Sequence, residues 1–266
     1  MRTLALLSIA PVKGLRLIHP GSAELGRDGI PTDRRFLLIG QNGTLIAGTV
    51  RPQLMQVVPD YDAATERLRL TFPDGTVVEG AADRTDGPIQ LDVWKRRATG
   101  RLVVGPFGEA LSGFAGQPVR VVRVADAAGQ DAEPLTLVSS ASVADIGAHG
   151  DDELLDARRF RMNLEIGGAA PYEEDTWSGA LVRVGDATIR VGEQVPRCVV
   201  TTLDPDAGQK DFRTLNLIAR HRPRIGPRGL PFGMYAEVVE PGRVSVGDAV
   251  EPVSEALTGT ENAAGR

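Results

Sequence analysis

Cys198 is the only cysteine among 266 residues, and it stands in Pro196-Arg197-Cys198-Val199-Val200-Thr201-Thr202-Leu203-Asp204-Pro205, where a β-branched run ends in a turn. The thiolate is the form that attacks electrophiles and ligates soft metals, and an adjacent arginine favours it. A lone cysteine in a strand is also, commonly, a small buried hydrophobe. A second group of chemistry-bearing residues is Arg159-Phe160-Arg161-Met162-Asn163. In an extended strand, alternate side chains share a face. Arg159, Arg161 and Asn163 would then present two guanidinium forks and an amide, with Phe160, Met162 and Leu164 turned to a core. Alone, that polar face reads as a solvated strand surface. Beside Arg197, Lys13 and the pair Arg34-Arg35, it becomes a cationic lining with many donors, suited to a phosphate dianion.

The elements that must position these residues are predominantly strands. Short apolar, β-branched runs at 37–39, 54–58, 68–72, 119–124, 181–184 and 189–191 have strand length, and glycine, proline and acidic residues separate them. Gln41-Asn42-Gly43-Thr44 and Pro73-Asp74-Gly75-Thr76 read as hairpin turns, because glycine tolerates positive φ. Helical patterns are few and short: 109–114, 142–146 and 214–221, the last behind a Thr214 cap. The sequence therefore predicts a mostly β, barrel-like protein with a few short helices. The Ala-, Asp-, Gly- and Gln-rich stretch 125–134 reads as an inter-domain linker, and the small, polar tail 253–266 as flexible.

Composition excludes several function classes. One cysteine allows neither an internal disulfide nor an iron–sulfur cluster ligated by this chain's own cysteines. His19, His149 and His221 are too scattered for a local metal-binding spacing and are assigned no role. With 30 Lys+Arg against 35 Asp+Glu, a sequence-independent grip on nucleic acid is not expected. Residues 4–10 form an apolar run too short to span a membrane and without a cleavage site, so they read as a first strand and the protein as cytoplasmic, with no membrane partner. No P-loop or dinucleotide-binding glycine motif is present. Glu173-Glu174-Asp175 reads as a solvated turn anchored by Trp177, and Asp204-Pro205 as turn chemistry closing the cysteine strand.

The segment from Arg197 to Pro205 resembles the signature of the MOSC family, named for the C-terminal domain of molybdenum-cofactor sulfurases, and within it the group of amidoxime-reducing components and their bacterial relatives. Pro11-Val12-Lys13-Gly14, Asp33-Arg34-Arg35-Phe36, Arg159-Phe160-Arg161-Met162-Asn163, Glu174-Asp175-Thr176-Trp177, Pro231-Phe232-Gly233-Met234-Tyr235 and Val246-Gly247-Asp248 follow in the order such relatives show. The resemblance spans roughly residues 1–250. It implies a MOSC N-terminal β-barrel domain over 1–124 and a MOSC domain over 125–252. It also implies a molybdenum–molybdopterin cofactor, with Cys198 as the metal ligand and catalytic residue. Lys13, Arg34 or Arg35, Arg159, Arg161, Asn163 and Arg197 would contact the pterin or its phosphate. Tyr235 would approach the cofactor edge or serve as a structural aromatic, and Asp131 and Ser139 sit where the family sometimes adds polar contacts.

The activity implied is reduction of a small molecule carrying an N–O bond, with electrons from a separate iron–sulfur protein or flavoprotein. Two alternatives are a carrier that stores the same cofactor and a metal-free sulfur carrier acting through a Cys198 persulfide. Relatives commonly carry Thr-Ala-Arg-Gln where this chain has Ala47-Gly48-Thr49-Val50, followed by Arg51, which is displaced by two positions from the arginine it would replace. Trp94-Lys95-Arg96 departs likewise from a common tryptophan-glycine-aspartate. Both departures fall in the N-terminal part, which in the family frames the substrate entrance.

Overall fold

Alternating burial, the mark of a half-buried strand, runs through most of the β-branched runs. The computed structural model describes residues 1–93, 96–125, 128–150, 155–224 and 229–253. In chain order its strands are β1 (Thr3–Leu7), β2 (Ser22–Leu25), β3 (Phe36–Ile39), β4 (Val58–Asp62), β5 (Arg67–Thr71), β6 (Val77–Ala81), β7 (Thr85–Val93) and β8 (Arg96–Val103), then β9 (Arg120–Val124), β10 (Leu135–Ser139), β11 (Leu164–Gly167), β12 (Leu181–Val184), β13 (Ala187–Arg197), β14 (Leu230–Glu240), β15 (Gly242–Ser245) and β16 (Val250–Pro252). Between them lie the helices α1 (Phe107–Ala115), α2 (Ser140–Ala148) and α3 (Thr214–His221).

The larger sheet has the order β1-β11-β10-β14-β13-β12-β16, antiparallel except between β10 and β11. Its outer strands meet: Leu4 N donates to Asp248 O at 2.9 Å and Val250 N to Arg2 O at 3.0 Å, so the sheet is nearly closed into a barrel. Closure leaves few unpaired edge groups. Leu4, Leu7, Leu137, Leu164, Ile166, Val182, Ile189, Val191 and Met234 fill the interior, each fully buried side chain contributing about 1.5–3 kcal/mol. β1 and β2 thus join strands from the far end of the chain, β2 pairing with β15.

The intervening residues form a four-stranded sheet, β3-β9-β8-β7, and a three-stranded one, β4-β5-β6. Phe36, Leu54, Leu68, Leu70, Phe107 and Leu111 pack between them, with Phe36 edge-on to Tyr61 at 4.9 Å. Both expected hairpin turns form, with Gly43 at φ 82° and Gly75 at φ 85°. No helix among the described residues is long and apolar enough to cross a membrane.

Three local expectations are corrected. Residues 54–58 are not a strand: Pro52, with its fixed φ and missing N–H, opens a 3-10 turn over Pro52–Gln56, and β4 starts at Val58. Residues 159–163 are not a strand either. Asp156 caps a 3-10 turn over Ala157–Phe160 by accepting from Arg158 N, and Arg161 then adopts φ 52° and ψ 38°, so β11 begins only at Leu164. Thr214 does not cap α3; its hydroxyl donates instead to Thr201 O at 2.6 Å. Within the stretch 125–134, Gly129 and Gln130 are buried, and a Cβ on Gly129 would come within 2.1 Å of Arg34 O. Trp94, Lys95 and the tail from residue 254 lie outside the described residues.

Candidate functional site

A cavity of about 470 Å³ lies where the N-terminal sheets meet the barrel, and Cys198 opens onto it. Cys198 follows the last residue of β13 and is exposed, in extended backbone at φ −115° and ψ 179°. The two threonines of its signature explain themselves locally. Thr201 Oγ1 donates to Cys198 O at 3.1 Å and Thr202 Oγ1 to Val199 O at 2.8 Å, tying down the 3-10 turn Val199–Thr202 that presents the thiol.

Arg161 and Arg197 also line the cavity. Each is close enough to Cys198 for their charges to interact. Arg161 donates to Leu15 O at 2.8 Å; burial, reinforced by the neighbouring Arg34 charge, presses its guanidinium down to about 10. Arg197 donates to Phe160 O and to Met162 Sδ at 3.3 Å, and it lies over the Phe160 ring at 5.6 Å. Its buried Nε has no partner among the described residues, and burial lowers its pKa. Neither arginine meets a carboxylate among the described residues.

The adjoining wall is built differently, although Arg34 Nη2 donates to Arg161 O at 3.3 Å. Lys13, 8% exposed, donates from Nζ to Gly129 O at 2.7 Å and Asp131 Oδ1 at 2.5 Å. Burial lowers its pKa while Asp131 pulls the other way. Arg34, in the left-handed region at φ 53°, donates to Asp33, whose side chain is wholly buried. Burial works against the Arg34 cation, but Asp33 and Asp131 outweigh it and its pKa is raised. Asp33 accepts in addition from Ala10 N at 2.8 Å and Asn163 Nδ2 at 3.0 Å. Asn163 donates also to Ser8 O and accepts from Thr136 N and Thr136 Oγ1, so its amide is fully engaged by protein. It holds the wall together while facing the cavity.

Tyr235, on β14, is half-buried at the cavity rim; burial raises its pKa, and its hydroxyl has no hydrogen-bond partner among the described residues. The structure therefore brings together Lys13, Arg34, Arg161, Asn163, Arg197, Cys198 and Tyr235. It does not bring in two residues of the expected set. Arg35 turns the other way, where its charge acts on Tyr61 and Glu66. Arg159 forms a bidentate pair with Asp211, both contacts at 2.7 Å, and donates to Leu203 O. With no strand over 159–163, Arg159 and Arg161 do not share a face. Arg51 does not stand in for the missing arginine, since it donates to Gln117 Oε1 at 2.7 Å. Ser139 caps α2 away from the cavity.

Sequence reasoning gave no role to Asp33, Gln130, Met55 or the segment Ala47–Gly48–Thr49, of which all but Asp33 line the cavity. An acid immediately before a candidate anion-binding arginine was the available signal for Asp33. Glu174 is buried rather than solvated and accepts from Ser139 N and Ser142 Oγ, while Trp177 is the core anchor expected. Asp204 closes its turn by accepting from Asp206 N and Ala207 N. No group of three or more His, Cys, Asp or Glu side chains among the described residues could hold a metal ion. A metal at Cys198 would need its other ligands from a bound group. Two partly buried guanidiniums beside an exposed thiol, with no direct carboxylate partner among the described residues, fit a soft metal carried by an anionic ligand.

Residues 1–116 match the MOSC N-terminal beta barrel domain and residues 125–251 the MOSC domain. The chain is similar to mitochondrial amidoxime-reducing component 1 of Homo sapiens, 27% identical over 279 residues that cover 93% of this chain and 82% of that protein. It is also similar to mitochondrial amidoxime reducing component 2 of Bos taurus, 26% identical with the same coverage. The molybdenum cofactor sulfurase of Oryza sativa is 26% identical over 93% of this chain but only 35% of that protein. The order of strands, the cavity at the junction and both domain matches agree: this chain belongs to the MOSC-domain family.

Proposed function

We propose that this chain binds a molybdenum–molybdopterin cofactor in the cavity at Cys198 and uses it to reduce N–O bonds of small molecules such as amidoximes and N-hydroxylated amines. The observation that carries the reading is the pairing of an exposed thiol with two partly buried guanidiniums that form no direct ion pair with a carboxylate among the described residues. The names of the relatives, amidoxime-reducing components and a molybdenum cofactor sulfurase, support the same chemistry.

Cys198 would ligate the metal, and Arg161 and Arg197 would receive the anionic part of the cofactor. Lys13 and Arg34 would offer donors to its polar ring from a wall whose charge is already balanced. When bound, the group supplies a two-electron centre able to exchange oxygen. The net reaction takes R–NH–OH, two electrons and two protons to R–NH₂ and water, breaking the N–O bond. The chain's own residues orient the substrate and exclude water. Tyr235, which burial keeps protonated, presents an O–H donor at the rim. The electrons come from a separate iron–sulfur protein or flavoprotein.

Protein made in a host competent for molybdopterin synthesis should carry near-stoichiometric molybdenum and release a fluorescent oxidised pterin. It should oxidise a reduced viologen dye when an amidoxime is added. Metal-free protein from such a host defeats the cofactor assignment, and metal-replete protein inert toward N-hydroxylated substrates defeats the reaction.

A further inference from the structure

The chain carries a formal charge of −5, yet the stretch from Lys210 to Arg224 holds five basic residues and one acid. That acid, Asp211, is taken by Arg159, and one of the five cations, Arg222, pairs with Asp175 and lies over the Tyr172 ring at 4.1 Å. Lys210, Arg213, Arg220 and Arg224 remain exposed, with no ion pair among the described residues. Asn216, Ala219 and His221 complete this outward surface of α3. The helix itself contains no acid.

The position of this surface matters as much as its sign. Thr214, the first residue of α3, donates to Thr201 O at 2.6 Å, and Thr201 donates in turn to Cys198 O at 3.1 Å. Two hydrogen bonds therefore connect the basic helix to the thiol-bearing residue. Leu217, 7% exposed, and Ile218, fully buried, hold α3 to the core; Leu215 is part-buried and Ala219 small, so the face has no large exposed apolar side chain to insert into a lipid bilayer. Charge, without an apolar anchor, is the surface of a transient and electrostatically steered complex.

We propose that the basic surface formed by α3 and its flanking residues, through Lys210, Arg213, Arg220 and Arg224, is the docking surface for an acidic one-electron carrier of the iron–sulfur class. This rests on the reductase reading above, and each N–O bond cleaved would draw two carriers in succession, each losing one electron. The test uses the intact, cofactor-loaded chain and an acidic [2Fe–2S] ferredoxin as probe. Saturable binding is measured by calorimetry at low and at physiological salt.

We expect binding that weakens with salt. It should fall about tenfold or more in the triple variant Arg213→Glu, Arg220→Glu, Arg224→Glu, and change far less in an equal charge reversal elsewhere, Arg27→Glu, Arg69→Glu, Arg97→Glu. Amidoxime reduction driven by the ferredoxin should drop with it, while reduction driven by a viologen dye stays at the parent level. Absence of binding by the parent, an equal loss in both triple variants, or capture of the chain by phosphatidylserine vesicles through the same arginines would each overturn the assignment. Failure of dye-driven turnover in the parent would instead sink the reductase reading, and the calorimetry would still decide the surface.

Discussion

The two walls of the cavity carry cations of the same sign in opposite states. On one wall, Lys13 and Arg34 each have an internal carboxylate, Asp131 and Asp33. On the other, Arg161 and Arg197 have backbone carbonyls and a sulfur. A partly buried cation whose direct acceptors are all neutral costs the fold stability, a cost that an anionic ligand would relieve. The first wall is organised for shape.

The largest effect should come from Cys198, which stands on the uncompensated wall. Replacing it with serine should lower kcat/KM by more than about a hundredfold and deplete molybdenum, since removing groups that merely orient a metal ligand already costs about 10–100-fold. A metal-replete, active serine variant would falsify the ligand assignment. Next, Asp33→Asn strips the compensated wall of its buried charge and should destabilise the fold by about 3 kcal/mol in urea titration. Asp131→Asn should cost far less, because Asp131 is half exposed and Lys13 keeps its bond to Gly129 O. Equal losses would mean that the two acids do not differ as the geometry says.

The walls themselves can be set against each other. Arg161→Met and Arg197→Met should each weaken cofactor retention by about tenfold, from loss of a charge-assisted bond, while Arg35→Met leaves pterin content unchanged after dialysis. Parity among the three would erase the distinction. The smallest expected effect is at Arg159, which lies outside the cavity. Its hydrogen bond to Asp211 lowers that carboxyl's pKa. The folded value lies below the unfolded one of about 3.9, so the contribution is present above that pH and is lost as pH falls through the folded value. Asp211→Asn should flatten the acid limb of a Tm profile slightly, with no change in pterin content.

Most strands were legible because alternation and β-branched content survive in runs such as 37–39, 119–124 and 181–184. The run 54–58 misled because apolar residues in a 3-10 turn look like a strand, and Pro52 was the overlooked signal. The error at 159–163 had more consequence. Asp156 as a cap and Arg161 in a left-handed conformation break the period-two argument, sending Arg159 to Asp211 and only Arg161 to the cavity. Which of Arg34 and Arg35 faces inward was undecidable from a dipeptide whose first member also has positive φ. Asp33 balances Arg34 from the adjacent position, which the sequence could suggest, whereas Asp131 reaches Lys13 from 118 residues away, a distance that no local pattern reports.

The closing of β1 against residues 248–250 sets the order in which the molecule can be made. The strand that leaves the ribosome among the first must wait for β11 in the middle of the chain and for one of the last strands before its neighbours exist. The N-terminal sheets, by contrast, pair entirely within residues 36–124 and can form during synthesis. Such widely separated partners make for slow final assembly, so cleavage after β2 in the nascent chain should leave a folded N-terminal half beside an open, aggregation-prone barrel.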